Sequence, residues 1–254
     1  MRTIYREKIY KCGKYLEVNL YPAYKMTGQR NKKAKPTSEM QKKLNQKNAE
    51  NNFIRVVNAN FTPSDIKCEL SYRDNPENEE EAKRAFKNFI RRTSRLRDKM
   101  KLPKLKYVAV LEKGSQKGRF HHHVIMSGGL SPQQIAELWG LGYVMKIQPL
   151  QFDECGVCGI AKYMTKDRTG YRRWTGSKNL IHPQAEIRDG RLSQRKVREL
   201  AEDTENRRLY ENTYSGYFLA QAEKIYNDVN GGVYLHIRMY KDEYIHRRER
   251  GKRE

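Results

Sequence analysis

The sequence predicts an α+β domain in which helices pack on an antiparallel sheet. Three observations lead to this class. Short segments rich in β-branched and aromatic residues are separated by turn-forming residues, as in hairpins. Glu77 to Met100 carries apolar residues at helical spacing. The pair Ser131-Pro132 suits the N-cap and first position of a second helix. Hairpins that alternate with helices favour a sheet covered by helices.

The elements before the long helix are expected in the following order. Lys8 to Tyr24 predicts a strand or hairpin, and the Lys/Gln/Asn-rich stretch from Gly28 to Asn52 predicts a mobile or helical basic arm. Phe53 to Phe61 and Ile66 to Tyr72 are each predicted to be a strand. A turn-forming segment, 62–65, lies between them, so the two strands are expected to form an antiparallel hairpin.

Four further elements are expected after the helix, which Pro103 ends. They are a strand from Leu105 to Glu112, a strand from Arg119 to Met126, a helix ending near Trp139 and a strand from Tyr143 to Gln148. A helix containing Tyr163 follows. We therefore expect three parts: a basic N-terminal segment (1–52), a central domain (53–185), and an extension (186–254) with a charged helix, a strand and a basic tail.

Composition indicates the kind of partner. A chain of 254 residues has room for one substantial domain with extensions or for two small domains. Its formal net charge of +22 predicts a surface that attracts polyanions, above all nucleic acid. A ribosome-associated protein, or a merely soluble basic one, would have the same charge. With no apolar stretch long enough for a signal peptide or membrane span, we expect a cytoplasmic protein without a membrane partner.

The four cysteines do not form a complete zinc motif. In the cytoplasm they are expected to be reduced thiols. Cys155 and Cys158 have the spacing of one half of a zinc site. A structural site needs four ligands, and neither Cys12 nor Cys68 supplies a second pair. Whether Cys155 and Cys158 bind anything is left open by the sequence.

Three consecutive histidines in the strand from Arg119 predict a metal site. Alternate residues of a strand share a face, so His121 and His123 point one way and His122 the other. If residue 112 pairs with residue 119, Glu112 lies on the face of His121 and His123 and supplies a third ligand. Two imidazoles and a carboxylate suit Mn²⁺ and accept Mg²⁺. Paired histidines also pack beneath sheets, and an iron oxygenase can use the same ligands.

A tyrosine and a lysine follow at helical spacing. Tyr163 and Lys166 are three residues apart and so share a helix face. A phenol with a pKa near 10 is only about one part in a thousand ionised at neutral pH. A nearby cation favours the phenolate, so metal and Lys166 together would make Tyr163 a nucleophile towards a phosphate. Alternatively, Tyr163 is one structural aromatic among 17 tyrosines.

A cluster of cations around a tryptophan predicts a path for single-stranded nucleic acid. Such strands bind in basic grooves that contain aromatic stacking platforms. A buried tryptophan flanked by solvated charges would give the same pattern. The predicted DNA-binding residues are Arg119, Lys162, Arg172, Arg173, Trp174 and Lys178.

These motifs together resemble a known family. The stretch from Asn58 to Pro183 resembles the replication-associated endonucleases of the HUH class, most of all those of filamentous phages and related mobile elements. The resemblance rests on the run Glu112-Lys113-Gly114, then Gly118-Arg119-Phe120-His121-His122-His123, on Tyr163-Met164-Thr165-Lys166, and on the segment 172–183. It implies a ferredoxin/RRM-like core.

The resemblance also implies an activity. A rolling-circle initiator nicks single-stranded DNA at an origin with a divalent metal, Mn²⁺ or Mg²⁺. Tyr163 would become linked to the 5′-phosphate, and the free 3′-hydroxyl would prime synthesis by host polymerase and helicase. Two features depart from the pattern. Gly159 and Asp167 stand where some phage initiators have a second tyrosine, and His122 replaces an apolar residue.

Two other functions remain open at this point. Single-tyrosine transposases have the same order of motifs, whereas conjugative relaxases place their tyrosine before the histidines. A non-catalytic nucleic-acid-binding module with an RNA-recognition-like sheet is the alternative outside the enzymes.

Overall fold

The computed structural model describes residues 4–23, 39–114, 118–152, 156–157, 164, 174–227 and 232–241. This part of the chain forms two five-stranded antiparallel sheets and five helices, so the predicted α+β class is confirmed. The chain divides into two compact units. The first unit comprises 1–59, 153–158 and 182–254, and the second comprises 60–152 and 159–181. The division expected at residues 52 and 185 remains a prediction.

The elements are numbered in chain order. The strands are β1 (Ile4–Cys12), β2 (Tyr15–Ala23), β3 (Ile66–Ser71), β4 (Tyr107–Lys113), β5 (Phe120–Met126), β6 (Val144–Pro149), β7 (Thr175–Gly176), β8 (Glu186–Asp189), β9 (Phe218–Asn227) and β10 (Gly232–Tyr240). The helices are α1 (Glu39–Asn60), α2 (Glu79–Lys99), α3 (Pro132–Trp139), α4 (Gln194–Glu202) and α5 (Arg207–Thr213).

The second unit is a sheet of strand order β6-β3-β5-β4-β7 with two helices on one face. Alternate residues of β3 and β5, such as Leu70 and Val124, pack with Phe86 and Phe89 of α2 and Trp139 of α3 in one apolar cluster. The strands β3 to β6 and the helices α2 and α3 were all predicted from their local patterns. The opposite face of β4 and β5 is therefore left to the other half of the alternation.

The caps of α2 and α3 agree with their sequences. The Asn78 side chain accepts a hydrogen bond from the backbone N–H of Glu81 at the start of α2. At the start of α3, Ser131 and Gln134 form a reciprocal capping box, as Ser131-Pro132 led us to expect. Gly140 ends α3 with a φ of +64°, which glycine adopts without strain.

The first unit is a sheet of order β8-β1-β2-β10-β9. The apolar residues of β2, with Val18 at their centre, pack in one cluster with α4 and α5. Glu17 points to the other face, where Arg55 of α1 donates to it at 2.9 Å and His236 Nε2 lies 3.1 Å away. Burial acts to raise the pKa of Glu17, but His236 and Arg55 outweigh it and lower the pKa to about 2. Glu17 is therefore an ionised group beneath a helix.

One predicted strand is wrong. Phe53–Phe61 was expected to be a strand paired with β3, but residues 53–60 are the last turns of α1. Phe53, Ile54 and Val57 are fully buried and recur at helical spacing, so this short apolar run satisfies both periods. The polar stretch before it continues the helix, and the neighbours of β3 are β5 and β6.

Two further expectations concern membranes and thiols. Among the described residues no helix is both long and apolar enough to cross a bilayer. Cys12 and Cys68 are buried free cysteines, and burial raises the pKa of each thiol to about 12. They are therefore unreactive thiols at neutral pH. Cys155 and Cys158 lie outside the described residues.

Candidate metal centre

The hairpin of β4 and β5 places the three predicted metal ligands together. Glu112 pairs with His121, and Val110 pairs with His123. The expected pairing of residue 112 with 119 was wrong by two residues. A shift of two preserves the alternation of faces, so Glu112 still lies on the face of His121 and His123. The change brings the carboxylate directly opposite the first histidine.

The ligand atoms are close enough to share one ion. Glu112 Oε2 lies 3.0 Å from His123 Nε2 and 3.6 Å from His121 Nε2, and the ligand atoms all lie within 4.8 Å of one another. An ion with bonds of about 2.1 Å holds ligand atoms about 3 Å apart at right angles and about 4.2 Å apart when opposite. The group Glu112, His121 and His123 therefore fits a divalent ion.

Burial prepares one of these imidazoles to bind a cation. The side chain of His123 is 1% exposed. Burial lowers the pKa of His123, and the neighbouring His121 lowers it further, against the opposing influence of Glu69 and Glu112. A lowered pKa favours the neutral ring, which is the form that binds metal.

His122 has a structural role on the other face. It is 2% exposed, its ring stacks on Phe86 with 4.7 Å between centroids, and its Nε2 lies 2.8 Å from the hydroxyl of Tyr72. The predicted alternation is therefore confirmed: His122 belongs to the apolar cluster, and the outer two histidines face the candidate metal centre.

The sequence analysis missed an acidic neighbour of this group. Glu69 of β3 pairs with His123, and its Oε2 lies 3.9 Å from His123 Nδ1. Lys146 of β6 donates to the same oxygen at 3.1 Å. A pocket of about 220 Å³ adjoins these groups; it is lined by Lys67, Cys68, Glu69, His123 and Lys146. The alternation of polar Lys67, Glu69 and Ser71 with apolar residues is the signal that marks this face of β3.

Lys146 reaches Glu69 from an irregular part of β6. The register of β3 with β6 shifts between Lys67 and Glu69, and Lys146 has a φ of +54°. A positive φ at a residue with a side chain is uncommon and is typical of a bulge, which re-aims a side chain. The bulge thus directs an ammonium group towards the candidate metal centre.

Several predicted residues lie outside the part of the chain that is described. They are Tyr163, Lys166, Lys162, Arg172 and Arg173. Met164, between the predicted nucleophile and its lysine, is helical and fully buried. The roles of these five residues therefore remain predictions.

The other three predicted DNA-binding residues are described. Arg119 is exposed, and its guanidinium donates to the carbonyls of Tyr72 and Arg73 at 2.6 and 2.8 Å. Lys178 is exposed and Trp174 half-buried. A Cβ at Gly176 would come within 3.1 Å of the Trp174 ring, so the ring lies against the backbone of β7. Arg119 and Trp174 thus each have a structural contact besides any contact with DNA.

The fold and the site define a class: an α+β domain with helices on one sheet face and a mixed histidine–carboxylate metal group on the other. Residues 67–168 match the family model of the replication-associated protein named for ORF2 and the gene II protein, a family of rolling-circle replication initiators. The expected resemblance is confirmed over these residues, which are less than half of the chain. No curated protein and no solved structure matches the chain significantly. The family match indicates a replication-associated function and, with it, DNA binding.

Proposed function

We propose that this chain is a rolling-circle replication initiator that nicks and rejoins single-stranded DNA at an origin. The observation that carries the proposal is the group Glu112, His121 and His123, gathered on one sheet face within the segment that matches the initiator family. A divalent ion held there, Mn²⁺ or Mg²⁺, supplies Lewis-acid polarisation of a phosphate oxygen.

The protein's own groups would do the remaining chemistry. Tyr163 Oη attacks the phosphorus and loses its proton, while the bond from phosphorus to the 3′-oxygen breaks. The products are a 5′-phosphotyrosine and a strand that ends in a 3′-hydroxyl, whose oxygen takes up a proton. Lys166 is assigned to stabilise the negative charge that develops on the phosphate or on the departing oxygen. Because the phosphodiester energy is kept in the link, attack by a 3′-hydroxyl can reseal the strand.

The surroundings of the metal group are suited to a phosphate. Lys67 and Lys146 bring two ammonium groups to the pocket beside His123. Glu69 lies near His123 Nδ1, where a carboxylate directs the ring so that Nε2 is free to bind an ion. Positive charge around a metal-binding carboxylate attracts a polyanion without competing for the metal.

The DNA path is assigned to the predicted cations and to one aromatic ring. Arg119, Lys162, Arg172, Arg173 and Lys178 would contact phosphates, and the part of Trp174 that is exposed would stack on a base. The 3′-hydroxyl released by nicking would serve a host polymerase, with a host helicase separating the strands.

The decisive experiment is a search for a covalent adduct. The full chain is incubated with Mn²⁺ and a library of end-labelled single strands that have a randomised centre, and denatured protein is recovered with any attached DNA. We expect an adduct in which mass spectrometry locates a phosphodiester on Tyr163. Tyr163→Phe should abolish it, whereas Tyr226→Phe, at a tyrosine that is 60% exposed on β9, should not.

Two results would contradict the proposal. An adduct that persists in Tyr163→Phe would assign the nucleophile elsewhere. Tight binding of single strands with no adduct in the wild type would favour a non-catalytic binding module.

A further inference from the structure

The outer face of α2 carries a row of cations. Exposed Arg or Lys side chains recur every three or four residues along the helix and so share one face. With a rise of 1.5 Å per residue, the row is about 22 Å long. We call it the α2 stripe; its members are Arg84, Lys87, Arg91, Arg95 and Lys99.

Folding does not account for the α2 stripe. The other two arginines in the second half of this helix have structural partners: Arg92 donates to the carbonyls of Leu138 and Trp139, and Arg97, which is 2% exposed, donates to Pro103 and Gly128.

Within the stripe, by contrast, Arg91 donates to Asn88. No ion pair joins any of the five cations to a carboxylate among the described residues. Like charges three or four residues apart destabilise a helix. A chain that keeps five of them in a row therefore has an anionic partner for this face.

The stripe is separate from the candidate metal centre. Phe86 and Phe89, on the inner face of α2, pack on the side of the sheet that contains His122. The stripe points away from that contact, whereas His121 and His123 face the other side of the sheet. A nucleotide bound at the metal group therefore cannot touch the stripe, since the sheet and the helix lie between them.

The composition of the stripe selects the form of nucleic acid. Sites for single strands combine cations with aromatic rings on which bases stack. None of the exposed residues of α2 is aromatic. Duplex DNA presents about one phosphate charge per 1.7 Å of its axis and is bound through its backbone by cations alone.

We propose that the α2 stripe binds the phosphate backbone of duplex DNA, so that the second unit contacts two DNA segments: a single strand at the metal centre and a duplex on the opposite side. The proposal takes DNA as the partner from the proposed function but is independent of the nicking chemistry. Duplex binding through the stripe needs no metal and no nucleophile.

The test compares two variants of equal net charge. In the first, Arg84, Lys87, Arg91 and Arg95 are all replaced by Gln. The control variant replaces four exposed cations of the first unit, and these are Arg195, Arg198, Arg208 and Lys224. Binding of a fluorescent 25-base-pair duplex is followed by anisotropy in EDTA between 50 and 200 mM salt, and thermal midpoints verify that each variant is folded.

The expected result is a change in salt dependence. Each lost phosphate contact lowers the slope of log affinity against log salt by about 0.9, so the stripe variant should lose about 2 to 4 from its slope. At 100 mM salt its affinity should fall at least about tenfold, while the control variant stays close to wild type. Removing repulsion within α2 should leave its thermal midpoint unchanged or raised.

Other results would overturn the assignment. Equal losses in both variants would show that net charge alone attracts the duplex, and a wild type that does not bind the duplex would exclude the partner. Loss of single-strand binding without loss of duplex binding would exclude the duplex. Adduct formation on a short single strand should persist in the stripe variant, so failure of this inference and failure of the nicking proposal are distinguishable.

Discussion

The three adjacent histidines allow metal binding to be separated from stability by substitutions one residue apart. His121 lies at the candidate metal centre with its side chain 19% exposed, whereas His122 is buried in the apolar cluster. We predict that His121→Ala abolishes metal binding with little loss of stability. His122→Ala should destabilise the second unit and leave metal binding intact.

The magnitudes follow from the contacts. Replacing His122 with Ala removes a ring stacked on Phe86 and the hydrogen-bonded contact with Tyr72. The cavity and the lost hydrogen bond together cost roughly 2 to 4 kcal/mol. At His121 the loss should stay below about 1 kcal/mol. Loss of one of three ligands should weaken metal binding by at least about 100-fold, more than the effect typical of a residue that only orients a ligand.

Two assays measure these effects on the same samples. Isothermal titration calorimetry with Mn²⁺ gives the metal affinity, and urea unfolding in EDTA gives stability without metal. The two tryptophans, Trp139 and Trp174, both lie in the second unit, so their fluorescence reports its unfolding. The reasoning is refuted if His122→Ala loses the metal, or if His121→Ala costs more stability than His122→Ala.

Two further predictions concern acidic groups. Glu69→Gln should weaken Mn²⁺ binding by about 10-fold in calorimetry, because the carboxylate near His123 Nδ1 no longer orients the ring; unchanged affinity would remove Glu69 from the site. Glu17 has a pKa lowered to about 2 in the folded chain. Its contribution, on the order of 3 kcal/mol, is thus complete above the unfolded pKa near 4.5 and lost as pH falls towards 2. Calorimetric midpoints of Glu17→Gln should depend less on pH between 5 and 2 than those of wild type, and parallel curves would contradict the interactions with Arg55 and His236.

The features that the sequence predicts correctly are the local ones. Alternation along a strand is a property of neighbouring residues, so His121, His123 and Glu112 could be assigned to one face even with the hairpin register wrong by two. Glu69 could not be found in this way, because its proximity to His123 depends on the pairing of β3 with β5, some 50 residues apart in the chain.

The errors have physical causes as well. Phe53 to Phe61 satisfies both the period of a strand and that of a helix, and only its burial along α1 decides between them. Lys146 acts at the candidate metal centre through a bulge with positive φ, and no composition rule marks a lysine for that conformation.

The pairing of β2 with β10 has a consequence for the order of events during synthesis. Leu20 pairs with Leu235, so β2 leaves the ribosome long before its neighbour exists. At about 5 to 20 residues per second the delay is roughly 10 to 40 seconds. The second unit, encoded almost entirely between these strands, has all its own strands first. We therefore expect the unit with the candidate metal centre to fold ahead of the unit whose sheet contains β1 and β2, with the unpaired edge of β2 as the segment most open to aggregation in the meantime.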